Sequence, residues 1–308
     1  MSSRLAIFAF LLLHTPLRAN PPALWIGVQG KDGYLVPIAT YQNESWKKSW
    51  PEGTDADQPK PKMDMPKRWF FHDPTISDYQ DRVRTVETKD LRNVEAYCSA
   101  LWTFSTDLSE ERGEPDVHRE PAGLTATFPF TLHQEENVSF RGEKAGELGA
   151  FIKQQLESRE NKMTLEHFPK SSQERELYPV TVEIYEVTLA SNGKAYRFSA
   201  WRNFSSFREG VPEGVSEGGV IDHLHSVFQG WVLGKGNGWV VRHEEFKVGD
   251  TDDPGAGGMD VFSFGSFEVG GKSYWAAQTH FYEGIGFQLL TISEDAVQDV
   301  INFDIGGC

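Results

Sequence analysis

Residues 226–292 read SVFQGWVLGKGNGWVVRHEEFKVGD, then TDDPGAGGMD, then VFSFGSFEVGGKSYWAAQTHFYE, then GIGFQLLTI. Aromatic and β-branched runs of strand length alternate with short glycine-bearing turns. Strands joined by tight turns must run antiparallel, because a parallel pair needs a crossover of a dozen residues or more. The stretch therefore predicts an antiparallel meander.

Working back towards the N-terminus, residues 178–204 repeat the pattern. Two strand-like runs flank Asn192-Gly193, a pair that tolerates the positive φ of a tight hairpin. In the second run Tyr196, Phe198 and Ala200 share one face, and Arg197, Ser199 and Trp201 share the other. Asp32-Gly33 marks a comparable turn between ALWIGVQG and YLVPIATYQ, with Pro37 implying an edge or a bulge. Arg82–Thr88 alternates as a half-buried strand, Val94–Thr106 reads as one longer strand, and Leu124–Leu132 as another. Residues 47–67 hold four prolines among charges and read as a surface loop.

One clear helix interrupts the strands. Leu148, Phe151, Ile152 and Leu156 fall on one face of Glu143–Ser158, a narrow stripe suited to covering one side of a sheet. A second, short helix is expected over Glu294–Ile301, capped by Ser293. The expected fold is mainly β, with antiparallel sheets arranged as a sandwich or a partly closed barrel, one amphipathic helix and a short C-terminal helix. The expected division is 1–19, a signal peptide; 20–140, an N-terminal β region; 141–177, the helix and a polar linker; and 178–308, the C-terminal meander.

Export is the reading of the first segment. Arg4 precedes the apolar run Leu5–Leu13, and a small residue, Ala19, follows at a cleavage position, the layout of a secretory signal. The run is far short of the ~20 residues that span a bilayer, and no later run is longer, so no transmembrane segment is expected after cleavage. The expected location is periplasmic or extracellular. Thirty Lys and Arg against 45 Asp and Glu give a net charge of −15. That balance argues against nucleic acid and against anionic lipid, both of which need basic groups. Cys98 and Cys308, the two cysteines of the chain, form a candidate disulfide in an oxidising compartment.

Three candidate sites carry chemistry. His223-Leu224-His225 places two imidazoles on one strand face, spacing that suits a zinc ion. If Gly234 and Gly238 flank the next turn, His225 faces Lys247, Glu245 lies diagonal to His225 within reach, and His243 is too far along the strand. The resulting set is His223, His225 and Glu245, the basis for a metal-dependent hydrolase as the competing reading. Asp250–Asp260 combines acids and glycines that can wrap calcium, although it lacks the alternating ligands of a helix-loop-helix site. Trp46, Trp50 and Trp69 form the third candidate, an aromatic surface for a carbohydrate or peptide ligand. Neither cysteine has a credible partner histidine for nucleophilic catalysis. The leading reading is a non-catalytic exported binding or structural module.

The succession DGYLVPIATY, paired tryptophans with WPEG, YCSALWTFSTD, PAGLTATF and a late β meander resembles a set of uncharacterised exported bacterial proteins. The resemblance implies export and a β-rich fold, and it brings no activity or residue role with it.

Overall fold

The structure, a computed structural model, describes residues 23–30, 32–49, 66–72, 83–96, 99–109, 121–139, 141–164, 172–204, 224–236, 238–250, 260–281 and 284–306. The signal segment, Trp50, most of the proline-rich loop, Cys98, Cys308, His223 and most of the Asp250–Asp260 loop lie outside these residues.

The N-terminal strands are β1 (Leu24–Gly30), β2 (Leu35–Gln42), β3 (Ser45–Lys48), β4 (Arg68–His72), β5 (Val83–Ala96), β6 (Ser99–Thr106) and β7 (Pro121–Ala126). They are ordered β1-β7-β4-β5-β6-β2-β3, and β1 also pairs with β2. Six strands therefore curl round as a small, partly closed barrel, with β2 and β6 meeting at Leu35 and Phe104 and β3 as an outer extension. All these pairings are antiparallel. Partial closure shortens the free edges that would otherwise invite association. The β1–β2 register slips at Ile26/Gly27, so Ile38 is an extra residue beside Pro37 and the expected bulge is present. Leu35, Trp69, Val86, Phe104 and Thr125 are fully buried in the barrel wall, and a barrel of this size is filled by its own side chains.

The chain then forms β8 (Glu136–Asn137), α1 (Gly142–Glu160), α2 (Ser172–Glu176), β9 (Val180–Thr188), β10 (Lys194–Asn203), β11 (Leu224–Lys235) and β12 (Gly238–Asp250). Strands β12-β11-β10-β9-β8 make a five-stranded antiparallel sheet. The last four strands, β13 (Asp260–Val269), β14 (Lys272–Phe281), β15 (Gly284–Ile292) and β16 (Val297–Gly306), make a four-stranded antiparallel meander. Gly270 and Gly271, with φ of 60° and 74°, form the two-residue turn between β13 and β14, where most other residues would be strained.

The layers stack in the order barrel, four-stranded sheet, five-stranded sheet, helix. Tyr274, Ala276, Phe287 and Leu289 of the four-stranded sheet pack with Ile26, Val28, Leu124 and Ala126 of the barrel. On its other side Trp275, Ala277, Leu290 and Ile292 pack with Ala195, Trp231 and Leu233 of the five-stranded sheet. The remaining face of that sheet, Ile184, Tyr196, Phe198, Phe228 and Val232, is covered by Leu148, Ile152 and Leu156 of α1. Each such buried aliphatic side chain contributes about 1.5–3 kcal/mol. That packing holds the helix, because its N-cap residue Arg141 makes no side-chain capping bond and glycines 146 and 149 lower its propensity.

Three expectations need correction. Val94–Thr106 is a hairpin: Ala96 pairs with Ser99, so β5 ends there and β6 begins. Leu124–Leu132 ends as a strand at Ala126, ahead of Pro129. The short C-terminal helix is absent, because residues 297–306 are β16. Its apolar residues imitate helical spacing through a bulge: Leu289 pairs with Ile301 and Leu290 with Asp299, which leaves Val300 as an extra residue. The extra residue reverses the alternation, so Val297 faces the five-stranded sheet and Ile301 the barrel. Ser293 still uses its hydroxyl to accept from the Ala296 amide at 3.0 Å, but in a turn between strands.

Candidate functional site

The histidine–glutamate set is not assembled among the described residues. Lys235 pairs with Gly238, so the turn lies one residue closer to β12 than the glycines imply. A bulge follows: Trp231 pairs with Arg242 while Gln229 pairs with Glu245, leaving two residues of β12 against Gly230. His243 occupies that bulge with φ 47° and points its Nε2 at the Asp299 carboxylate, 2.9 Å away. The two shifts together pair His225 with Gly249 instead of Lys247. Glu245 is thereby four residues along the strand from His225, about 13 Å. It accepts a 2.6 Å hydrogen bond from Gln229 and sits 2.8 Å from the Lys247 ammonium. His225 itself is buried. Among the described residues no three His, Cys, Asp or Glu side chains converge to hold a metal ion.

The tryptophan surface also changes. Trp69 is fully buried, edge-on to Trp25 and 5.9 Å from the Phe104 ring. Trp46 is buried against Phe267 and Tyr274 of the four-stranded sheet, with ring centroids 6.4 and 5.5 Å away. Both rings are interior, for the large apolar area of an indole is worth most where layers meet.

The tryptophan that stands apart is Trp201. Every other described tryptophan belongs to, or packs against, one of the apolar clusters, whereas half-buried Trp201 belongs to none of them. Its position follows from unbroken register along β9, β10 and the start of β11. Cross-strand partners on one face form successive rows: Val187–Ala195–Leu233, then Tyr185–Arg197–Trp231, then Glu183–Ser199–Gln229–Glu245, then Thr181–Trp201–Val227–Lys247. The first row is buried under the four-stranded sheet. From the third row onwards the face turns polar and most of its side chains are half-buried.

The boundary row is tied down by charge. Arg197 reaches Glu135 through two hydrogen bonds of 2.9 and 2.7 Å, and its guanidinium lies 4.4 Å from the Tyr185 ring centroid. The Trp275 indole donates to the same Glu135 carboxylate at 2.8 Å from the neighbouring sheet. Tyr185 donates to Glu183 at 3.0 Å. Burial, then the hydrogen bond to that carboxylate, raises the Tyr185 phenol pKa, so it stays a donor at neutral pH. The carboxylates of this face thus have partners: Glu135 has Arg197, Glu245 has Lys247 and Gln229, and Glu183 has Tyr185.

A second charged cluster lies on the opposite face, under α1. Fully buried Glu160 accepts from the Ser226 hydroxyl at 2.6 Å and stands 3.4 Å from Arg202 Nε and 3.8 Å from Arg175 Nε. Arg202 also reaches Glu157 at 3.3 Å. Desolvation raises the Glu160 pKa above 4.5, outweighing Ser226 and the arginines, which act the other way. This cluster is sealed between helix and sheet and serves to join α1, α2 and β10.

The sequence placed Trp201 on the face opposite Tyr196 and Phe198. It carried no signal that this face is covered at one end and open at the other, since the cover comes from strands 60 or more residues later. No known protein family, curated protein or solved structure matches the chain. No helix of the described residues is long and apolar enough to cross a membrane.

Proposed function

We propose that the chain is an exported, non-catalytic binding module whose recognition surface is the polar half of the five-stranded sheet face around Trp201. The observation that carries the reading is the placement of that tryptophan. A large aromatic ring on a central strand, outside every apolar cluster of the described residues, is stabilised by little among those residues. Tryptophans that present an apolar body beside polar groups are characteristic of interfaces. The ionic clusters at Glu135 and Glu160 are occupied with bracing layers, which favours binding over catalysis as the role of the polar residues. Export is supported by the basic, apolar and small-residue order of residues 1–19 and by the resemblance to exported proteins.

Hydroxyl-radical footprinting of the purified chain, read by mass spectrometry, tests the surface. Trp201 should oxidise well ahead of Trp231 and Trp275. Equal protection of all three overturns the reading. N-terminal sequencing of the protein recovered from an exporting host should begin near Asn20.

A further inference from the structure

The geometry points to a neutral, polyhydroxylated ring as the ligand: we propose that Trp201 stacks on a pyranose face of an oligosaccharide, with Gln229, Ser199, Glu183 and the Glu245–Lys247 pair engaging its hydroxyls. The inference rests on the binding-module reading above and names its ligand class.

Charge is the first argument. The chain carries −15 overall, yet on this face the Glu245 carboxylate is balanced by the Lys247 ammonium at 2.8 Å, and Glu135 by Arg197 at 2.7 Å. In the Trp201 row and the row beside it, a cationic ligand meets no surplus of acid beyond Glu183, and the one base among their described residues, Lys247, is already paired with Glu245. The complementary ligand is uncharged.

Donor and acceptor balance is the second. Sugar hydroxyls both donate and accept, and they are best met by a mixture of groups. Gln229 and Ser199 do both, Glu183 and Glu245 accept, and Lys247 donates. These five occupy adjacent rows on the same face as the indole. Neighbouring strands are about 4.8 Å apart and same-face residues about 6.6 Å apart along a strand, so the polar groups flank the ring at the scale of one or two sugar units. An aromatic platform with few convergent polar groups is the usual composition of a small-ligand surface. The ring's apolar C–H face covers the indole, and its rim of hydroxyls reaches the row beside it.

The test is isothermal titration calorimetry of the purified chain with cellohexaose, maltohexaose and chitohexaose. An immobilised library of neutral hexapeptides forms a parallel arm. The expected result is saturable binding of at least one hexasaccharide, weakened at least about tenfold in Trp201→Ala and largely kept in Trp201→Phe, which preserves a stacking ring. Gln229→Leu, which leaves the indole in place, should weaken the same sugar and guards against a Trp201→Ala variant that fails to fold. Binding of none of the three sugars, or undiminished binding to Gln229→Leu and Trp201→Ala, overturns the proposal. Peptide capture lost in Trp201→Ala, without sugar binding, overturns the sugar assignment and leaves the binding-module reading standing. Protection of Trp201 from oxidation in the unliganded chain overturns both.

Discussion

Arg197 and Glu135 form a two-point ion pair, 2.9 and 2.7 Å, at the seam where the five-stranded sheet meets the four-stranded one. Both side chains are mostly buried, at 14% and 7% exposure. Removing one partner leaves a desolvated charge, which costs about 3–5 kcal/mol. Arg197→Met and Glu135→Leu should each lower the urea midpoint by that measure. The double variant should recover much of the loss, since an apolar pair strands no charge. Strictly additive losses in the double-mutant cycle would show that the pair is not coupled.

Glu160 gives a pH signature. Its folded pKa lies above the reference value of 4.5 because it is buried. The folded state therefore holds the proton more tightly than the unfolded chain does. The favourable contribution of this group is complete below about 4.5 and is lost as pH rises through the raised value. Glu160→Gln cannot titrate, so its stability relative to the parent should improve as pH increases from that point. Urea midpoints of both proteins measured from pH 4 to 8 check this. A difference that is flat or runs the other way counts against a raised pKa.

Two tryptophans from the same composition should behave oppositely. Trp69→Ala empties a fully buried site and should cost about 3–5 kcal/mol. Trp201→Ala removes a ring outside the apolar clusters and should cost under about 1 kcal/mol. Thermal unfolding separates the two cases, and comparable losses would place Trp201 in a core.

Gly33 locks a turn against the barrel. Its φ is +83°, and a Cβ there would stand 2.3 Å from the Leu108 carbonyl oxygen. Its own carbonyl accepts from Thr106, Ser109 and Gln29 at 2.7, 2.9 and 3.1 Å. Gly33→Ala should therefore cost at least about 2 kcal/mol, more than an ordinary exposed turn glycine, because strain and displacement act together. A denaturation midpoint within error of the parent would mean that the turn shifts freely.

Local chemistry made much of this fold legible. Asn192 and Gly270-Gly271 announce their hairpins as residues that accept the positive φ they adopt, and Leu148, Ile152 and Leu156 announce the sheet-covering face of α1. What could not be read depends on partners distant in the chain. Nothing near β1 says that it pairs with both β2 and β7. The spacing of Val297, Val300 and Ile301 serves a bulged strand as well as it serves a helix, and only β15 decides between them. The site residues failed for a related reason. A turn displaced by one residue and a bulge at His243 together moved Glu245 out of reach of His225, and neither has a mark in hydrophobic periodicity. Trp46 and Trp69 look like loop and strand-end aromatics until the layer that buries them is in place.

The four-stranded sheet is apolar on both faces, with Tyr274 and Ala276 turned to the barrel and Trp275 and Ala277 to the five-stranded sheet. Residues 260–306 leave the ribosome after every strand of the two layers they join. Until they arrive, the barrel and the five-stranded sheet each carry an uncovered apolar face, and neither has its main neighbour. Completion of this three-sheet stack thus waits on the sheet made after the other two.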